Sequence, residues 1–147
     1  MATDPRVSEL LEQFSHLPRF PDGRINYTNA KKAVVLTCFV MFHDTFLLLK
    51  RSNNVLTYKG KWQVVAGYVD EPKPIKDKAL EEVNEETGID RSFISSVSVG
   101  ELVEFSDETA KRAWIVFPVL MKLNKQPHVR LDEEHVDYRW ITAHDIE

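Results

Sequence analysis

Between Gly60 and Ile89 the chain reads GKWQVVAGYVDEPKPIKDKALEEVNEETGI: a strand-like run, a loop with two prolines, and a helix stopped by Gly88. Glutamates stand at 81, 82, 85 and 86, with no base between Lys78 and Arg91. Residues three and four apart share a helical face, so Glu82, Glu85 and Glu86 point the same way, while Ile75, Ala79, Leu80 and Val83 form an apolar stripe. Two carboxylates about 5 Å apart repel by roughly 3 kcal/mol at an effective dielectric near 20. The helix must therefore lie on a core and carry either a solvated acidic face or one that holds a hard cation. Mg²⁺ takes oxygen ligands and keeps several waters, which suits a partial carboxylate cage. On spacing alone the solvated face is favoured, because most Glu-rich helix faces are simply solvated.

The flanks set the class of fold. AVVLTCFVMF and TFLLLKR are strand-like and separated by His43-Asp44, which predicts a hairpin. WQVVAGYVD is a third strand, interrupted by Gly67. FISSVSVGELVEF and AWIVFPVLMKL are further strands, and Pro118 gives the second an edge or a bulge near its middle. DYRWI closes the series, and TAHDIE reads as the first turn of a terminal helix. Ahead of them, Asp4-Pro5 starts a short helix over residues 5 to 15, with Val7, Leu10, Leu11 and Phe14 at helical spacing. LPRFPDGRINYTNA follows as a linker or wrapping segment. Residues 1–31 are thus expected to form a helical arm and residues 32–147 one mixed α and β domain. The arm's stripe has to be buried on that domain or on a second copy of the chain.

The chain has 147 residues, 43% hydrophobic and 29% charged, which reads as one folded domain rather than a disordered chain. A net charge of -4 gives no basic field, so nucleic acid is not an expected partner. No apolar run approaches the ~18 residues of a membrane span, and MATDPRVSEL lacks the pattern of a signal peptide. The single Cys38 lies in an apolar run and is expected as a buried thiol. The cytoplasm is the expected compartment.

The stretch from Gly67 to Ile89 resembles the signature of the Nudix hydrolase family: glycine, five residues, glutamate, seven residues, then Arg-Glu-aliphatic-x-Glu-Glu-x-Gly-aliphatic. Gly67, Glu82, Val83, Glu85, Glu86, Gly88 and Ile89 fall in register. GKW at 60–62, FLLLKR at 46–51 and EEHVDYRWI extend the likeness over about residues 32–147. The resemblance implies an α+β fold, an α/β/α sandwich in which a mixed β-sheet carries the acidic helix, with the N-terminal arm added. It also implies a pyrophosphohydrolase that cleaves a diphosphate in a nucleoside diphosphate linked to another group, by water attack at phosphorus with Mg²⁺ or Mn²⁺. Two positions depart from the pattern: Lys73 stands at the first glutamate and Glu81 at the arginine. Both charges are reversed together, which predicts a loop-to-helix ion pair of swapped polarity. Two unrelated substitutions are the alternative, and the catalytic glutamate then lacks its orienting cation.

Carried over residue by residue, the resemblance implies Glu82 and Glu86 as metal ligands, Glu85 as a third, and the Ala66 carbonyl as a backbone ligand. Gly67 would let the loop approach closely. The general base is Glu82 or Glu134, the latter six residues before Trp140; an exposed loop residue in DEEH is the other reading of Glu134. Arg51 is the first choice to meet substrate phosphates, with Lys50 and Arg112 behind it. A flat group would stack on Tyr68 or Phe105, although aromatics at strand spacing are more often core; Trp62 and Trp140 are read as structural. The five His show no metal-ligand spacing and there is no nucleophile-elbow serine, so zinc and covalent hydrolysis are poorly supported. Two other classes compete: a Nudix-fold nucleotide-binding module without turnover, favoured by Lys73 and Glu81, and an interaction domain docking through the N-terminal helix. A homodimer built through the arm and a monomer with a wrapped arm fit equally well.

Overall fold

A computed structural model describes residues 4–55, 58–109, 111–142 and 144. Its spine is a parallel pair at the centre of one mixed sheet. Strand β1 (Lys32–Phe42) runs beside β7 (Arg112–Leu123), in register from Lys32↔Ala113 to Met41↔Lys122. On β1 every second residue, Val34, Leu36, Cys38 and Val40, is fully buried, the alternation expected of a strand with one face on the core. The other edge of β1 is shared. Near its start it pairs with β4 (Val65–Tyr68), and at its end it turns through His43-Asp44 into β2 (Thr45–Arg51). β2 in turn carries β3 (Trp62–Gln63) and β8 (His135–Thr142). The outer edge of β7 is likewise divided, between β6 (Val103–Asp107) and β5 (Ile94–Val99).

Three strand expectations are corrected here. The third strand breaks at Val64, not at Gly67, because there the chain passes from pairing with β2 to pairing with β1; Gly67 continues the ladder opposite Leu36. FISSVSVGELVEF forms two strands separated by Gly100, whose N–H donates to the Pro118 carbonyl at 2.8 Å. Pro118 sits on neither an edge strand nor a bulge. β7 is internal, and the proline's missing N–H falls where its neighbour changes from β6 to β5. The expected terminal helix lies almost wholly outside the described residues.

Helix α2 (Ile75–Thr87) packs across β4, β1, β7 and β5. Pro74 caps it, Asp77 lies in its first turn, and Gly88 ends it at φ 73°, a left-handed conformation that glycine adopts without strain. Its buried residues are Ile75, Lys78, Ala79, Val83, Glu86 and Thr87, so two charged side chains lie on the face that meets the sheet.

The arm's helix, α1 (Pro5–Glu12), is capped by Asp4 and ends three residues earlier than expected; a turn follows. Val7, Leu11 and Phe14 are buried on the chain's own domain, in one core with Ile25, Tyr27 and the sheet. The arm also bonds to three carbonyls of the loop between β4 and α2. Tyr27 O–H donates to Val69 at 2.7 Å, Ile25 N–H to Asp70 at 3.0 Å and Asp4 N–H to Pro72 at 2.9 Å. No helix among the described residues is long and apolar enough to cross a membrane. Tyr27→Phe should cost about 1–2 kcal/mol in urea denaturation, because a buried carbonyl loses its partner; an unchanged midpoint would show that the hydroxyl is not bonded there.

Candidate active site

Strand alternation turns Gly67 toward α2, where a Cβ would overlap the carboxyl carbon of Glu82. The close approach that glycine permits brings strand and helix together at that carboxylate. Glu82 and Glu86 stand one helical turn apart, close enough that each carboxyl acts on the ionisation of the other. Glu86 is 3% exposed, and its Oε1 has no hydrogen-bond partner. His135 Nε2 lies 3.6 Å from that oxygen and is itself unpartnered, while His135 Nδ1 is 2.6 Å from Asp132 Oδ1.

Burial is the main reason that both carboxyls resist ionising. Glu82 is pushed up to about 7, with Glu85 and Asp70 adding to the effect and Lys78 opposing it. Glu86 is pushed up to about 10, by burial first and then by the charges of Glu82, Asp132 and Glu134. Cys38, buried beneath, is raised to about 12 by burial and by Glu86.

A second layer of charge surrounds the pair. Lys78 is 4% exposed; its Nζ lies 3.3 Å from Asp70, 3.4 Å from Glu71 and 3.8 Å from Glu82. Burial works against its charge, but the surrounding carboxylates outweigh it and hold its pKa above the usual lysine value. Further out, Lys73 Nζ reaches Glu81 at 2.5 Å and Glu71 at 3.3 Å. The two reversed positions do form an ion pair.

The other expected residues fall into two places. Arg51 is half-buried at the end of β2 and opposite His135, and Glu134 is exposed beside it; its carbonyl accepts from Ser52 N–H at 2.8 Å. The Glu134 charge bears on Glu86, and Arg51 is tied to the same region through its strand pairing with His135. Glu85 is exposed and does not join the buried pair. Tyr68 and Ala66 point to the opposite face of β4 from Gly67. Tyr68 stacks on Tyr27 at 5.2 Å between ring centroids and accepts from Arg112 at 3.0 Å. The Arg112 guanidinium also donates to the carbonyls of Ala30 and Tyr27, at 3.1 and 2.6 Å, and lies 4.7 Å over Trp114. That makes it a clamp on the arm. Phe105 is exposed on β6, Trp62 carries Arg139 at 4.7 Å, and Trp140 packs partly buried against the core.

A family model described as the NUDIX domain matches residues 31–147. The chain belongs to the Nudix family. Comparison with curated proteins gave no match. Among solved structures, a MutT protein from Methanosarcina mazei is 26% identical, with a TM-score of 0.65, over 80% of this chain and 82% of that one. The E. coli dihydroneopterin triphosphate pyrophosphohydrolase is 21% identical, with a TM-score of 0.63, over 76% and 82%. The Nudix domain of NrtR from Shewanella oneidensis, complexed with ADP ribose, is 16% identical, with a TM-score of 0.64, over 92% and 84%. The last two likenesses are of fold. Membership makes the chain a hydrolase by family, and the mixed sheet with its packed acidic helix is the Nudix architecture.

Among the described residues no three His, Cys, Asp or Glu side chains stand in metal-holding geometry. The pair nevertheless fits a hard divalent ion. Its donors are carboxylate oxygens, it is mostly buried, and one Glu86 oxygen lacks any partner. Sequence reasoning missed Asp70, Lys78, Asp132 and His135. The spacing of Lys78 to Glu82, i to i+4, was a signal for one of them.

Two outcomes follow for the Nudix box. In a double-mutant cycle on Lys73 and Glu81 the coupling should be about 0.2–1 kcal/mol, as for a partly exposed pair; zero coupling would mean that the contact does not form in solution. For the buried pair, raised pKa values mean that the folded chain binds more protons than the unfolded chain above the usual carboxylate range. Without metal, the pair's contribution to stability is then fully present below about pH 4.5 and is lost as pH rises through about 7 toward about 10. Urea midpoints at pH 5 and pH 9 in a chelator should show this fall, and Glu86→Gln should shrink it; a midpoint rising with pH would contradict the pairing.

Proposed function

We propose that the chain is a Mg²⁺- or Mn²⁺-dependent pyrophosphohydrolase that cleaves the diphosphate in a nucleoside diphosphate linked to another group, water attacking at phosphorus. The observation that carries this reading is the Glu82–Glu86 pair, half-buried at Glu82 and buried at Glu86, with one Glu86 oxygen lacking a hydrogen-bond partner. Glu82 and Glu86 would hold the ion, with Glu85 and the Ala66 carbonyl as further donors. When bound, a divalent ion neutralises phosphate oxygens and lowers the pKa of a water. The chain's own groups do the rest. Gly67 keeps the loop against Glu82, Arg51 meets the phosphates beside Glu86, and Glu134 or Glu82 takes the water's proton. Tyr68, 39% exposed, lies on the opposite face of β4 from Gly67, so a flat group stacked on it would have to reach round the strand from the acidic site. Two of the structural neighbours deal with phosphate-rich ligands: a dihydroneopterin triphosphate for one, ADP ribose for the other. The cytoplasm is the compartment this substrate class suits.

A second reading has its own observation. Lys78 already neutralises Glu82 in part, and no third ligand converges among the described residues. That arrangement suits a nucleotide-binding module without turnover. Phosphate release from a panel of nucleoside triphosphates, nucleotide sugars and dinucleoside polyphosphates, with and without metal, separates the two. Turnover should require the metal and fall at least about a hundredfold in Glu86→Gln, since even groups that only orient a ligand are worth 10–100-fold. Binding of metal and nucleotide without turnover of any compound would establish the module instead.

A further inference from the structure

Helix α2 presents Ile75, Ala79 and Val83 to the core, and Lys78 lies among them, almost completely buried. A lysine is rarely buried unless it is paired. Here its ammonium is flanked by Asp70, Glu71 and Glu82, three carboxylates contributed by the box loop and the helix. The two glutamates of the pair are therefore not equivalent. Glu82 has a fixed cation 3.8 Å away, whereas among the described residues the basic neighbour of Glu86 Oε1 is the unpartnered His135 Nε2 at 3.6 Å. Position 81, next to Glu82, bears a negative charge tied to Lys73, so the cation nearest Glu82 reaches it from one turn earlier on the helix.

We propose that Lys78 is a resident counter-charge of the metal site. Its ammonium neutralises Glu82 in place, lowers the site's affinity for a divalent ion below that of two bare glutamates, and leaves Glu86 as the oxygen an ion must satisfy. The inference rests on reading Glu82 and Glu86 as ligands. It does not depend on turnover. A divalent ion feels the ammonium's field twice as strongly as a competing proton does, so removing Lys78 favours the ion even where protons compete.

The test is Mn²⁺ affinity of the full chain, read from the electron paramagnetic resonance of the free ion. Lys78→Met should bind Mn²⁺ about tenfold more tightly, and Lys78→Arg should match the wild type. Lys78→Met takes away one of the two cations beside Asp70, Arg24 being the other, so Lys78→Gln, which also removes the charge but keeps a hydrogen-bond donor for Asp70, should show the same tightening if Lys78→Met fails to fold. A purely structural lysine gives the opposite sign: unchanged or weaker binding in a variant whose circular dichroism is intact overturns the proposal. The wild type supplies an independent arm. The ¹⁵Nζ resonance of Lys78, assigned by its loss in Lys78→Arg, should shift when Mg²⁺ is added, and an unmoved resonance with Mg²⁺ bound overturns it. Tighter Mn²⁺ binding with no hydrolysis of any compound would sink the hydrolase reading and leave Lys78 assigned. No Mn²⁺ binding by any form would sink both.

Discussion

Two carboxyl groups in contact inside a protein cannot both ionise unless something positive is nearby, because removing charge from water is costly and like charges at short range add to the cost. Glu82 and Glu86 meet under this constraint where α2 crosses β4, and the surrounding structure is arranged around it. Gly67 has no side chain because the Glu82 carboxyl occupies that space. Lys78 is buried because Asp70, Glu71 and Glu82 surround it. Lys73 and Glu81 close the outside of the same network with the opposite polarity to the usual box. A cluster with this many acidic groups holds its shape only while its few cations stay in place.

The sheet needed little beyond alternation and punctuation to be read from the chain. Val34, Leu36, Cys38 and Val40 announce a one-sided strand, His43-Asp44 a tight hairpin, and Gly88 the end of α2. Strand breaks were less legible, because β3 and β5 end, and β4 and β6 begin, where a neighbour changes, which is a property of the assembled sheet. Within the site, helical spacing grouped Glu82, Glu85 and Glu86 on one face. The sheet separates them: Ala79, Val83 and Glu86 follow at four and three residues along the buried stripe, so Glu86 goes inward while Glu85 stays in water. The period-2 rule would likewise have set Tyr68 and Gly67 on opposite faces of β4. Asp132 and His135 carry no such signal, since α2 meets them only through long-range packing, and Asp70 meets Lys78 through the fold of the loop before α2.

Arg112 shows how a cation can be diverted from one expected role to another. Two backbone carbonyls of the arm, a tyrosine hydroxyl and an indole face occupy its planar group. Such a fork of donors suits fixed acceptors better than a mobile ligand does. Together with Tyr68, the ring it steadies, it fixes the arm on the face of β4 turned away from Gly67.

The three bonds from Tyr27, Ile25 and Asp4 to the carbonyls of Val69, Asp70 and Pro72 carry a mechanical consequence. The box loop has little regular structure of its own, and its path is set from outside by a segment more than forty residues earlier in the chain. Arm and loop should then open in one cooperative step, with their amides sharing a common exchange rate. A protease cut in the exposed turn around Pro21 to Gly23 would slacken the acidic site without touching any residue in it.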